Sequence, residues 1–456
     1  MMRFGMTTAA LAAMLALAGC KQASESAAEQ PREEQQAFAL TPAVIAMRWQ
    51  WLNPEINSFT FRETKKVFEY RDVRSGGVEV WDLPRAGGFA MPTIDFGGET
   101  RDYARFAEDT FTNAMLVLKD GRIVFEDYRN RMTPETRHVA FSMSKTITAM
   151  LVGIALERGE IDSLDDPAEK YVPQLAGAGY EGVTVRQILQ MRSGVDYEER
   201  YDFGDNPSFA GRLHEQAIVL NRMRFAEGAL ETRQANTPGS TFNYSTLDTM
   251  VLGWVLEEAT GETLEAQMEQ RIWQPLGAEA DAFWLADGPP GADGVEGRAK
   301  SRKVALKPMP LSARLGQLLL DDGMRGEVRV LPEGWVGQMT AMLPTGGPLP
   351  GYGFLADRRR AGRIRGGRPR RAVHLRSPRE PHGRRQTELL SPCRAGSRAS
   401  GDSGILPGPG SNIRALNAGQ GAIRRGDGAI HPGRHPSGPI YARLIGSLFS
   451  RAFFLD

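Results

Sequence analysis

Ser142 and Lys145 stand three residues apart in the string Ser142-Met-Ser-Lys145. The string opens a segment, Ser142 to Arg158, whose apolar residues recur at helical spacing and which closes at Gly159. Residues three apart on a helix share a face. A serine hydroxyl is a weak nucleophile until a neighbouring base takes its proton. A lysine amine serves as that base where burial disfavours the ammonium form. The helix N-terminus adds positive potential that favours a developing oxyanion. The same four residues also read as a serine cap followed by a solvated lysine, and the tetrapeptide alone leaves both readings open. Tyr244, in Tyr244-Ser245-Thr246, follows Pro238-Gly239 and Phe242 and opens a second helix predicted over Thr246 to Thr260. A tyrosine beside a Ser/Lys pair can pass a proton to the leaving group; without such a pair it reads as a half-buried core tyrosine.

These residues need elements to hold them. Ala114 to Tyr128 is two apolar runs around Asp120-Gly121, which predicts a β-hairpin with a tight turn. Val183 to Met191 and Leu264 to Trp273 read as further helices. A strand pair feeding a helix, followed by a helical region, predicts an α/β (α+β) domain carrying an α-rich insertion. The chain has 456 residues and two cysteines, Cys20 and Cys393, which excludes a disulfide framework. Its six histidines form no HExxH or Cys/His cluster, so neither a metal nor another cofactor is expected. At the N-terminus, Met1-Met2-Arg3 precedes an apolar run from Thr7 to Ala18 that is too short to span a bilayer. It ends in Leu17-Ala18-Gly19-Cys20, which resembles the lipobox of bacterial lipoproteins. The resemblance implies lipidation of Cys20 and anchoring on the periplasmic side of the cell membrane or outer membrane. The polar stretch from 21 to 40 then reads as a flexible tether, and residues 41–354 as the folded domain.

The strings HVAFSMSKT, LVGIALERGEID, DDPAEKYVPQL, TVRQILQMRSGVDY and FNYSTLDTMVLGWVLEEATG occur in this order. Together they resemble the serine β-lactamase and penicillin-binding-protein (DD-peptidase) superfamily. Within it, the resemblance is nearest to 6-aminohexanoate-dimer hydrolases and class C-like esterases, and it runs from about residue 112 to 354. It implies a transpeptidase-like fold, with a central antiparallel sheet flanked by helices plus an α-rich lobe. It also implies that Ser142 is acylated, that Lys145 is the general base, that Tyr244 shuttles the proton and that the Ser142 N–H is half of the oxyanion hole. Tyr201, in Asp196-Tyr-Glu-Glu-Arg-Tyr201, falls where the amidase branch has a tyrosine touching its substrate; the other reading is a surface loop tyrosine. The implied substrate is a small ester or linear amide, and the implied surroundings are a membrane held through lipid, without nucleic acid. β-Lactams or cell-wall peptides are the alternative within the same chemistry. A catalytically dead relic or a cell-wall-binding module is the alternative outside it. Gly401-Asp-Ser403-Gly404 matches the nucleophile string of trypsin-like proteases, but it sits in a Gly/Pro-rich tract without strand pattern and is set aside.

Two stretches depart from the family pattern. The family's third motif, Lys-Thr-Gly or His-x-Gly on a sheet strand, is missing from its place. Residues Gly297 to Leu311 are Lys/Arg-rich where a Gly-rich segment belongs. Residues 355–456 hold 20 Arg, no Lys and six acidic residues, a net +14, against −13 for the remainder. This Arg/Gly/Pro-rich composition has no strand or helix period and reads as a shifted reading frame of GC-rich DNA rather than as a nucleic-acid-binding tail. Codons that can encode Leu355 to Arg385, read one base later, permit a string containing Gly-His-Gly-Ala-Gln, which resembles the missing motif. A shorter compensated shift would account for Arg298 to Pro310 in the same way. The expectation is a tail that cannot bury enough apolar surface to order itself, and a chain that is inactive or poorly folded for want of the strand and second oxyanion donor, while a frame-corrected version hydrolyses esters or amides.

Overall fold

In a computed structural model of the chain, the described residues are 40–53, 55–96, 99–287, 304–306, 310–346, 351–355 and 389–394. All lie in the larger of the chain's two units, Ala39–Asp456. The elements that matter here are α1 (Pro42–Gln50), β1 (Tyr70–Val73), β2 (Thr112–Lys119), β3 (Arg122–Tyr128), β4 (His138–Val139) and α2 (Met143–Glu157). They continue with α3 (Val185–Leu189), α4 (Thr246–Thr260), α5 (Leu264–Met268), β5 (Ala282–Leu285), β6 (Val304–Leu306), α6 (Pro310–Leu320), α7 (Trp335–Met339) and β7 (Leu389–Arg394).

The hairpin forms where the sequence places it. β2 and β3 pair antiparallel, with Lys119 opposite Arg122. Asp120 and Gly121 take φ of 49° and 73°, the positive angles that a two-residue hairpin turn needs. β7 pairs antiparallel with the other edge of β2, Leu389 opposite Leu118. A second antiparallel sheet runs in the order β1-β5-β6-β4. β6 and β7 lie in stretches whose sequence carries no strand pattern. The reason that each forms is its partner. β2 and β5 are buried along their whole length apart from Lys119, and the backbone groups on their edges require a partner whatever sequence supplies it. β7 is an edge strand of its sheet, the position in which a proline such as Pro392 is tolerated. Its string, Leu389-Leu-Ser-Pro-Cys-Arg394, carries neither form of the third motif.

The helices follow their caps. α2 ends before Gly159, at φ 70°, and α4 ends at Gly261, at φ 69°. α3 is shorter than predicted: the Thr184/Gln187 capping box starts it late, and Met191, at φ 56°, stops the chain from continuing. The predicted helix from Leu264 divides into α5 and a wider turn over Glu269–Trp273. Packed at the centre, α2 and α4 share one core with α3, α5 and α7. Leu355, first residue of the expected tail, belongs to that core. It is buried, and its N–H donates to Leu189 O at 2.9 Å. Cys20, the 21–40 tether apart from Leu40, Gly401–Gly404 and the rest of the tail from 356 onward apart from β7 lie outside the described residues. No described helix is long and apolar enough to cross a membrane.

Candidate active site

Ser142 sits at the N-terminus of α2, yet its side chain makes no capping hydrogen bond. The capping alternative therefore fails, and the hydroxyl is left for other use. Its neighbour is Lys145, which is only 5% exposed, so the solvated-lysine alternative fails as well. Lys145 Nζ lies 3.3 Å from Ser142 Oγ and 3.3 Å from Thr246 Oγ1. The Nζ atom also lies 5.1 Å from the centre of the Tyr244 ring. One turn of helix thus supplies the Ser/Lys pair, and the entry to α4 supplies the groups facing it. Helix α2 is buried on nearly every side from Ser144 to Ala155, Lys145 included.

The backbone around Ser142 is constrained. Phe141 holds φ at 47°, a region a bulky residue rarely adopts, and strain of this kind clusters at functional sites. Its ring is wedged between Trp51 at 5.5 Å and Phe61 at 4.7 Å, so aromatic packing stabilises the strained turn. The Ser142 N–H donates to no described residue, whereas those of Met143, Ser144 and Lys145 are taken by Ala140, Phe141 and Ser142 carbonyls. It is available to a developing oxyanion. His138, four residues upstream in β4, is buried between Asn113 Nδ2 and the Val139 carbonyl. Burial pushes its imidazole down to about 4, so it is neutral under ordinary conditions.

The entry to α4 is held from below. The Ser245 hydroxyl accepts from the Asp248 N–H at 3.0 Å and caps the helix. The Asp248 carboxylate accepts from Tyr180 Oη at 2.6 Å and Ser193 Oγ at 2.8 Å. Burial pushes the Asp248 carboxyl up to about 7 despite these donors. Tyr244 is half-buried, with its ring edge-on to Tyr352 at 6.2 Å, and its hydroxyl has no hydrogen-bond partner among the described residues. Tyr201 is not on the surface: it is 3% exposed, and its hydroxyl donates to Glu199 Oε1 at 2.6 Å. Glu199 in turn accepts from the Thr246 N–H and hydroxyl. The structure thus joins Ser142, Lys145 and Tyr244 directly, and Tyr201 through two intervening residues. Glu199 and Thr246 were not singled out from the sequence, although both lie in stretches that were. No described group of His, Cys, Asp and Glu could hold a metal ion.

Residues 104–351, more than half of the chain, match the β-lactamase family model. The chain belongs to the β-lactamase family. The 6-aminohexanoate-dimer hydrolase of Paenarthrobacter ureafaciens is similar to it, 31% identical over 245 residues that cover 53% of this chain and 60% of that protein. A D-aminopeptidase of Brucella anthropi is 29% identical over 174 residues, 36% of this chain and 31% of that one. The chain therefore spans less than two thirds of the length of either relative. Among solved structures, "Putative 6-aminohexanoate-dimer hydrolase from Bacillus anthracis" superposes with a TM-score of 0.57 at 22% identity, covering 67% of this chain and 80% of that one. That likeness shows the fold: a β-lactamase and penicillin-binding-protein type of hydrolase fold, with mixed helices and sheets. Family members are serine hydrolases, and the relatives named here include amide hydrolases.

Proposed function

We propose that this chain is a serine hydrolase that is acylated on Ser142 and acts on an ester or a small linear amide. The observation that carries the reading is the buried Lys145 amine, 3.3 Å from a serine hydroxyl that no cap has claimed. In its neutral form the amine takes the Ser142 proton as Oγ attacks the carbonyl carbon. The Ser142 N–H donates to the carbonyl oxygen as it gains charge. Tyr244, with a hydroxyl uncommitted among the described residues, returns the proton to the leaving alcohol or amine. Water then releases the acid and restores Ser142. The linear-amide half of the proposal leans on the similarity to the 6-aminohexanoate-dimer hydrolase. A substrate contact by Tyr201 requires its hydroxyl to turn away from Glu199. We place the enzyme on the periplasmic side of a membrane, tethered through Cys20.

Acylation is the step to test, because the hydroxyl, the amine and the Ser142 N–H that it draws on all lie among the described residues. A p-nitrophenyl ester should release one p-nitrophenolate per chain in a burst, and a fluorophosphonate should label Ser142. Ser142→Ala removes both signals, and Lys145→Ala slows the burst by about 10²–10⁴-fold, the range for a positioned base. Label on Ser403, or a burst that survives Ser142→Ala, refutes the assignment.

A further inference from the structure

Glu199 lies in the loop between α3 and the short helix Phe209–Leu213, half-buried. It touches no reacting atom, and three donors converge on its carboxylate. The Thr246 N–H donates to Oε2 at 2.7 Å. The Thr246 hydroxyl donates to Oε1 at 2.6 Å, and the Tyr201 hydroxyl donates to the same oxygen at 2.6 Å. From the geometry we infer that Glu199 is a positioning residue: through Thr246 it decides which way hydrogen bonds run at Lys145, and so aims the amine lone pair at Ser142. The inference rests on the Ser142/Lys145 reading above.

Proton count decides the direction of each of these bonds. A hydroxyl has one proton and two lone pairs, and a carboxylate only accepts. At 2.6 Å the single Thr246 proton is committed to Glu199 in a charge-assisted bond, the stronger of its options. Toward Lys145 the Thr246 oxygen can then only accept, so the 3.3 Å contact has Lys145 as donor. A neutral amine has two protons and one lone pair in a tetrahedral arrangement. With a proton pinned on Thr246, the lone pair is kept off that oxygen and is available to Ser142 Oγ, 3.3 Å away. Were Thr246 free to donate, its proton would bind the lone pair and withdraw the base from Ser142. Tyr201 completes the arrangement. Burial, with the Glu199 charge adding, holds its phenol far above the usual range, so it remains a donor. Its ring is edge-on to His214 at 5.8 Å.

The test is the acylation burst with a p-nitrophenyl ester, resolved into the rate constant at saturation and the half-saturating concentration. Thr246→Val keeps the shape and removes the acceptor; Thr246→Ser restores it. Glu199→Gln keeps the size and sets an amide donor against one of the three donors. Thr246→Val and Glu199→Gln should each lower the acylation rate constant about 10-fold or more, since orientation of a base is worth factors of this order. The half-saturating concentration should stay within about twofold of the original. Thr246→Ser should regain most of the rate. If Glu199→Gln or Thr246→Val acylates Ser142 at the original rate, or if rate and half-saturation change together with a large drop in melting temperature, Glu199 is only a packing residue and the inference is overturned. Absence of any burst in the unsubstituted chain is a different outcome: it overturns the Ser142 assignment itself.

Discussion

One methyl group added at Gly153 should destabilise the helix that carries Ser142, although alanine is the better helix former. A Cβ at Gly153 would stand 2.3 Å from Trp335 Cε2, 2.4 Å from Nε1 and 2.5 Å from Cδ2. Carbon contacts are comfortable at about 3.5–4.0 Å, so the indole must withdraw by roughly 1 Å or more. It has nowhere to go. Trp335 is 1% exposed, its Nε1 donates to Ala149 O at 3.0 Å, and its ring lies against Phe354 at 5.6 Å. Replacing glycine by alanine within a helix gains about 1 kcal/mol. Overpacking of a filled core costs about 1–3 kcal/mol, and losing the indole hydrogen bond costs about another 1 kcal/mol. The net expectation for Gly153→Ala is a loss of about 1–3 kcal/mol, or a fall of roughly 2–5 °C in melting temperature for a domain of this size. Thermal unfolding followed by circular dichroism measures it. Trp335→Phe supplies the partner variant: the double substitution should lose less than the sum of the singles, because the smaller ring makes room for the methyl. A rise in melting temperature for Gly153→Ala, as helix propensity alone requires, would falsify the reasoning, and so would strict additivity.

Glu257, in α4, is buried, and burial pushes its carboxyl up to about 8, with Glu265 adding and Arg224 opposing. A folded value above the unfolded one means that the stability contributed by protonation is complete at acid pH and lost as pH rises through about 8. Glu257→Gln removes this dependence, so its advantage over the unsubstituted chain should grow between pH 5 and pH 9 to the order of a few kcal/mol; a difference that does not change with pH sinks the prediction. Cys20, read as a lipidation site, should take up labelled palmitate during growth, and Cys20→Ser should not. An unlabelled, freely soluble chain would remove the lipid tether from the proposal.

Local geometry was legible in the sequence wherever spacing alone decides it. Ser142 and Lys145 share a face because a helix repeats every 3.6 residues, and the apolar run behind them could only be a buried helix. Asp120-Gly121 makes its turn because those residues tolerate positive φ. The family strings pointed to the fold for a related reason: each is a buried face or a cap with its own local logic. Tertiary structure decided the remainder. Tyr244 and Thr246 reach Lys145 across about a hundred residues only because α2 and α4 pack in one core. Whether Ser142 caps its helix or stands free, and whether Lys145 is solvated or buried, are facts about neighbours that no tetrapeptide contains. The sequence placed Tyr201 in a loop, but its hydroxyl is turned inward by a carboxylate two residues away that has two further donors to satisfy. β6 and β7 formed where no pattern predicted a strand, because an unpaired buried edge demands hydrogen bonds from any backbone that reaches it. Periodicity and caps are properties of adjacent residues; hydrogen-bond polarity, burial and edge pairing belong to residues that only folding brings together.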